Sequence, residues 1–221
     1  MAVIFISLGV GTLLSALTVT MALPKLGGSP AVWAVSMCFF QAALLAGYCY
    51  AHALVRWLMP RDAVWVHGAI LAATCLALPI GLPSALSEPP VGQSYAWLLG
   101  VLALGVGLPF FAVAATAPLL QAWFARTGHK DADDPYFLYG ASNFGSLIAL
   151  LSYPVVIEPN LGLAAQSATW GAGFLILGGL IVACGVLMLL ASSANAQTLL
   201  RIEAATPATC DSAAPSWSDR A

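Results

Sequence analysis

The sequence predicts an all-α integral membrane protein with six transmembrane helices. Three observations predict it. Of the 221 residues 61% are apolar and only 7% are Asp, Glu, Lys or Arg, against about 25% charged residues in a soluble domain. So few charges cannot cover the surface of a soluble protein of this size. Uncharged apolar runs near the ~20 residues that cross ~30 Å of hydrocarbon recur along the chain, and turn signals or charges separate them.

Span one covers about 2–23. It has no basic leader and no small-residue cleavage pattern, so it reads as a retained span rather than a signal peptide. Pro24-Lys25 and the turn signal Gly27-Gly28-Ser29-Pro30 end it. Span two, about 31–57, closes on Arg56, Pro60 and Arg61. Span three, about 63–80, ends at Pro79, Gly81 and Pro83, and a Pro/Gly/Ser-rich loop follows. Span four, about 95–124, contains Gly105, Gly107, Pro109 and Pro118. A proline removes a helical hydrogen bond and crowds the preceding turn, which predicts a kink or break near 107–118. Span five, about 135–157, has Asp133 or Asp134 to cap it and Pro135 at the first helical position. Span six covers about 166–191. The transmembrane domain is therefore 1–191, and the Ala/Ser/Thr/Pro-rich 192–221 reads as a disordered cytoplasmic linker or tail.

Six of the seven basic residues (Arg56, Arg61, Arg126, Lys130, Arg201 and Arg220) fall on one side of such a bundle, and Lys25 alone falls on the other. The positive-inside rule then places both termini and the charged hairpin 125–134 in the cytoplasm of a bacterial inner membrane. Leu8-Gly9-Val10-Gly11 in span one returns as Leu104-Gly105-Val106-Gly107 in span four. That is the pattern of a three-plus-three inverted repeat, although the match is short and of common residue types.

Polar side chains inside spans are the informative positions, because the helix satisfies its own backbone. Gln41, Tyr48 and His52 share one face of span two. Tyr136, Tyr139, Asn143 and Ser146 share one face of span five. Gln41, Asn143 and Ser146 fall near the midplane, where secondary transporters bind their substrates. The candidate substrate path is Gln41, Tyr48, Gln121, Tyr139, Asn143 and Ser146. Interhelical packing is the competing role for each, as it is for Gly140, Ala141, Gly145 and Ala149. His67 has no carboxylate at helical spacing within the membrane, so no second member of a proton relay is visible.

The hairpin 126–134 groups His129, Asp131, Asp133 and Asp134 without diagnostic ligand spacing. The five cysteines form no metal or redox motif. No nucleophile elbow, phosphate loop or dinucleotide fingerprint occurs. No catalytic, cofactor-binding or metal residue is read, and no basic patch points to nucleic acid.

Several blocks carry a family resemblance: Leu23-Pro24-Lys25-Leu26-Gly27-Gly28-Ser29-Pro30, Phe39-Phe40-Gln41, Gly47-Tyr48 and Tyr50-Ala51-His52. So do Thr116-Ala117-Pro118-Leu119-Leu120-Gln121, Trp123-Phe124, Asp134-Pro135-Tyr136-Phe137-Leu138-Tyr139, Ala141-Ser142-Asn143-Phe144-Gly145-Ser146 and Glu158-Pro159. Over about 20–175 the chain resembles the bacterial proteins that fuse a major-facilitator-type membrane region to a spermidine-synthase-like domain. The resemblance implies that six spans are the N-terminal half of a larger membrane region. The chain ends within what resembles the linker after span six, so the aminopropyltransferase-like domain, and with it enzymatic activity, is not expected here. The implied function is a transporter-like half-bundle handling a small polar metabolite such as a polyamine. Besides the lipid bilayer, its expected partners are a second six-helix half or a second copy, and a soluble spermidine-synthase-like domain. Two alternatives stay open: a non-transporting anchor or assembly subunit for such an enzyme, and a truncated gene fragment.

Overall fold

A computed structural model describes residues 3, 25–26, 29–76, 78, 89–90, 94–126 and 136–205, the side chains of 194–196 and 198–205 excepted. Apart from Val3, expected span one lies outside these residues. So do the charged hairpin from Thr127, the Asp133/Asp134 cap and the tail beyond 205. Among the described residues every regular element is helical.

Helix α1, Pro30–Trp57, begins where Ser29 accepts a hydrogen bond from the Val32 backbone N–H at 3.4 Å and Pro30 takes the first turn. The stretch read as a turn signal is thus also a helix cap. Helix α2, Pro60–Cys75, starts on the other side of the Leu58-Met59 turn, again with proline first. Helix α3, Ser94–Ala125, is continuous. Its turn at Ala103–Gly107 widens to π geometry just before Pro109, and Pro118 sits inside the following α segment. The expected kink or break is a local widening: a wider turn absorbs a residue that cannot donate, and the helix carries on. Helix α4, Tyr136–Asn160, repeats the device, with π geometry over Tyr153–Ile157 around Pro154 and ahead of Pro159.

Helix α5 runs from Leu163 to Ala205 and therefore continues past residue 191. Helix stands over 192–205, where a disordered linker was expected. The physical reason lies in Ala194-Asn195-Ala196-Gln197 and Leu199-Leu200-Arg201-Ile202-Glu203-Ala204. These are mostly good helix formers, and no glycine or proline interrupts them before Pro207.

Four of these helices, α1, α3, α4 and α5 through Ser193, are long and apolar enough to cross a membrane. Helix α2, the counterpart of expected span three, has 16 residues, short of the usual span length.

Helix α3 is the axis of the packing. Half of its apolar span is buried, against 22% for α4. Leu98, Leu102, Val106, Ala112, Ala115, Thr116 and Leu119 are fully enclosed. Helix α1 lies along it through Val32, Ser36, Gly47, Ala51 and Leu54, while α2 and α5 close other sides. At Gly47 the contact is nearly backbone to backbone. A Cβ there would sit 2.9 Å from Ala114 Cβ and 3.2 Å from the Phe111 carbonyl oxygen. Small residues permit such approach between spans, where lipid gives no hydrophobic drive to associate. Gly185 plays the same part on α5, where a Cβ would sit 2.8 Å from a Val64 methyl and 3.4 Å from the Trp123 ring. The Arg126 guanidinium donates to the Val55 carbonyl at 3.1 Å. It meets one of the terminal carbonyls that α1 cannot satisfy itself and ties the C-terminal ends of α1 and α3 together.

Candidate functional site

The bundle encloses one group of polar side chains contributed by three different helices. The α1–α2 hairpin turns at Leu58-Met59, so residues equally far from the turn come level. Tyr50 lies seven residues before Trp57 and His67 seven after Pro60, each about 10 Å into its helix at 1.5 Å per residue. Their ring centroids are 6.0 Å apart. Helix α3 crosses at the same level and adds Thr116, whose Oγ1 is 3.5 Å from His67 Nε2. One helical stretch further along, Trp123 presents its edge to the imidazole at 6.4 Å. Phe111 packs on Tyr50 at 5.1 Å. His67 and Thr116 are completely buried and Trp123 is nearly so.

The hydrogen-bond inventory assigns the imidazole tautomer. Thr116 has a single hydroxyl hydrogen and donates it to the Ala112 carbonyl at 2.9 Å. Toward His67 it therefore only accepts, so Nε2 carries the ring proton. A buried charge requires a partner. Asp62 and Glu158, the two acidic residues whose side chains are described, are both exposed. With no buried carboxylate among the described residues, the imidazole is read as neutral, with a bare lone pair on Nδ1. That Nδ1, the Tyr50 hydroxyl and Trp123 Nε1 are all buried and have no hydrogen-bond partner among the described residues. Buried polar groups are nearly always paired, and each unmet one costs about 1–3 kcal/mol. Three around one ring set this locus apart from ordinary helix packing.

A second polar contact lies at the α4–α5 corner. Tyr153 donates to Gln166 Oε1 at 3.2 Å, and Gln166 Nε2 donates to the Leu161 carbonyl at 2.7 Å. With both of these bonds made, the contact reads as a fastening of the connection. Among the described residues no three His, Cys, Asp or Glu side chains group as metal ligands. The hairpin holding His129, Asp131, Asp133 and Asp134 is outside them.

The six path residues read from sequence are placed as follows. Gln41 and Tyr48 are exposed on α1, on a different face from the one that meets α3. Tyr139 and Asn143 are exposed on α4, while Ser146 and Gln121 are half-buried. No hydrogen bond among the described residues joins any of them to another. Helix α1 packs on α3, and α4 reaches α3 through Phe124 and Phe137, whose rings are 5.7 Å apart. The polar face expected on α4 lies beside a buried stripe of Leu138, Ser142, Gly145 and Ala149. Gly145 and Ala149, two of the residues considered for packing, are buried in that stripe.

The reading of single spans passed over Tyr50, Thr116 and Trp123, and left His67 without a partner. One signal was available: with the hairpin turn placed at 58–59, positions 50 and 67 are symmetric about it. No sequence signal aligns Thr116 with them, because that needs the depth at which α3 crosses.

The fold and this centre define the class: an all-helical, multi-pass bundle of the kind that crosses a membrane. No protein-family model, curated protein or solved structure matches the chain.

Proposed function

We propose that the chain is a transporter-like half-bundle of the bacterial inner membrane that handles a small polar solute, with both termini in the cytoplasm. The observation that carries this reading is the His67 centre. Polar side chains inside a membrane bundle are costly and mark solute or ion pathways by default, and this group stands where three helices meet. Orientation draws support from the ends of α1, α2 and α3 that carry Arg56, Arg61 and Arg126. Arg126 reaches α1, so these cations share one side of the bundle, as the positive-inside rule asks of a cytoplasmic face. The six-span count, the inverted repeat and the kinship with spermidine-synthase-fused facilitator proteins belong to the same proposal. A polyamine is the solute which that kinship suggests.

A second reading is favoured by a different observation. Gln41 and Asn143 are polar residues exposed on span faces, where a neighbouring protein helix satisfies them better than lipid does. That suits an anchor or assembly subunit paired with a second half, a second copy or a soluble aminopropyltransferase-like enzyme.

Flux separates the two. The full chain is reconstituted in lipid vesicles, and uptake of radiolabelled spermidine and of sorbitol is compared with that of protein-free vesicles. Uptake of either probe above the blank, reduced several-fold by His67→Leu, is the expected result. Uptake equal to the blank for both removes the transport reading and leaves the anchor.

A further inference from the structure

The hydrogen-bonding inventory around His67 restricts what that centre can hold. Nδ1 of the neutral ring only accepts, Trp123 Nε1–H only donates, and the Tyr50 hydroxyl does either. All three are buried and have no hydrogen-bond partner among the described residues, on rings whose centroids stand 6.0 and 6.4 Å from the imidazole. An anion only accepts, which would leave Nδ1 unmet. An ammonium only donates, which would leave the indole N–H unmet, and neither Asp62 nor Glu158 is at hand to balance its charge. A group that donates and accepts at once is of the kind that matches all three, and water is the smallest of that kind.

We infer that Tyr50, His67 and Trp123 form a binding site for a neutral hydroxyl or primary amide group of a small solute, with water as its resting occupant. This deepens the transport reading and rests on it for the solute's passage, though not for the binding itself. It also turns the choice of solute away from a polyamine, since a cation finds π faces here but no buried counter-charge among the described residues. Thr116 acts as the positioning residue: its bond to Ala112 fixes it as an acceptor, and that holds the imidazole with Nδ1 turned to the solute.

The test reads the imidazole itself. The full chain carrying His52→Gln and His129→Gln, with His67 as the only histidine, is labelled with ¹⁵N-histidine and studied by solid-state NMR in lipid vesicles. Expected are a proton on Nε2, a hydrogen-bonded Nδ1 and a cross-peak from the ring to water. Acetamide should move the Nδ1 signal and diminish the water cross-peak. Tyr50→Phe and Trp123→Phe should each weaken that response several-fold. Thr116→Val should leave a water contact but mix the two tautomers. A bare Nδ1 without water contact overturns the site. A wet ring that ignores acetamide overturns the solute class, as does a ring that answers spermidine instead. An acetamide response untouched by both aromatic variants overturns the assignment of residues. Failure here and failure of transport are separable. Acetamide binding without flux removes only transport, and flux with a dry His67 removes only this site.

Discussion

Helices α3 and α4 are both long and apolar, yet the bundle treats them in opposite ways. Helix α3 is apolar on every side and is wrapped by α1, α2 and α5. Helix α4 carries a polar stripe on one face and small residues on another, and most of it stays exposed. In water the uniformly apolar helix would be the buried one for hydrophobic reasons. In a bilayer that drive is absent between spans, because lipid tails are as apolar as leucine. What buries α3 is shape: Ala112, Ala114, Ala115 and Ala117 give it a slim flank, and Gly47 and Gly185 bring neighbours onto it.

The sharpest way to break that comparison is one substitution on each side of it. Gly47→Leu drives a side chain into Ala114 and the backbone of α3, and overpacking of this kind costs about 3 kcal/mol. Gly140 on α4 has nothing within 4 Å of a would-be Cβ, so Gly140→Leu should stay within about 0.5 kcal/mol of the parent. Unfolding in mixed micelles with rising SDS measures both. Equal losses would mean that α3 is not the packing axis. Gly185→Leu should fall between them, at about 2 kcal/mol. Its nearest neighbour is a Val64 methyl rather than backbone, and a side chain can give way where a peptide cannot.

These contrasts also show what the sequence could disclose. The helices were legible from their apolar runs, because span length is a local property, whereas Pro30 and Pro60, read as closing the preceding spans, are also the starts of α1 and α2. Helix α5 continues to Ala205, into the first part of the Ala/Ser/Thr/Pro-rich 192–221 whose composition reads as a disordered tail. Gln41 and Asn143 were singled out by depth and polarity. Neither property says which way a helix faces, and both residues turn out exposed. Tyr50, Thr116 and Trp123 stand in the family-resembling blocks but not among the candidate site residues, for the converse reason. Each is ordinary in its own span and acquires meaning only from the other two helices.

A smaller effect tests how the axis is fastened to α1. Arg126 reaches over from the end of α3 to the Val55 carbonyl, in a bond open to solvent. Arg126→Gln should therefore cost about 1 kcal/mol, below the ~1.5–3 kcal/mol usual for charged hydrogen bonds. The loss should shrink little in high salt, because the partner is a carbonyl and not an ion. A strongly salt-dependent loss in the micelle titration would instead assign Arg126 to the acidic hairpin that follows it.

The smallest effect is expected at the α4–α5 corner. Tyr153→Phe deletes the hydroxyl that donates to Gln166 and leaves the ring in place. Gln166 keeps its 2.7 Å bond to Leu161, so its amide remains anchored and only one acceptor loses a partner. Side-chain hydrogen bonds between membrane helices average about 0.6 kcal/mol, because the unfolded chain in the membrane finds substitutes. A loss of that order, with His67 spectra unchanged, would confine this contact to fastening the connection beside Pro154. A loss of about 2 kcal/mol or more, or a disturbed His67 signal, would mean that α4 is coupled to the buried centre after all. The contrast between an enclosed α3 and a peripheral α4 would then give way to a single cooperative core.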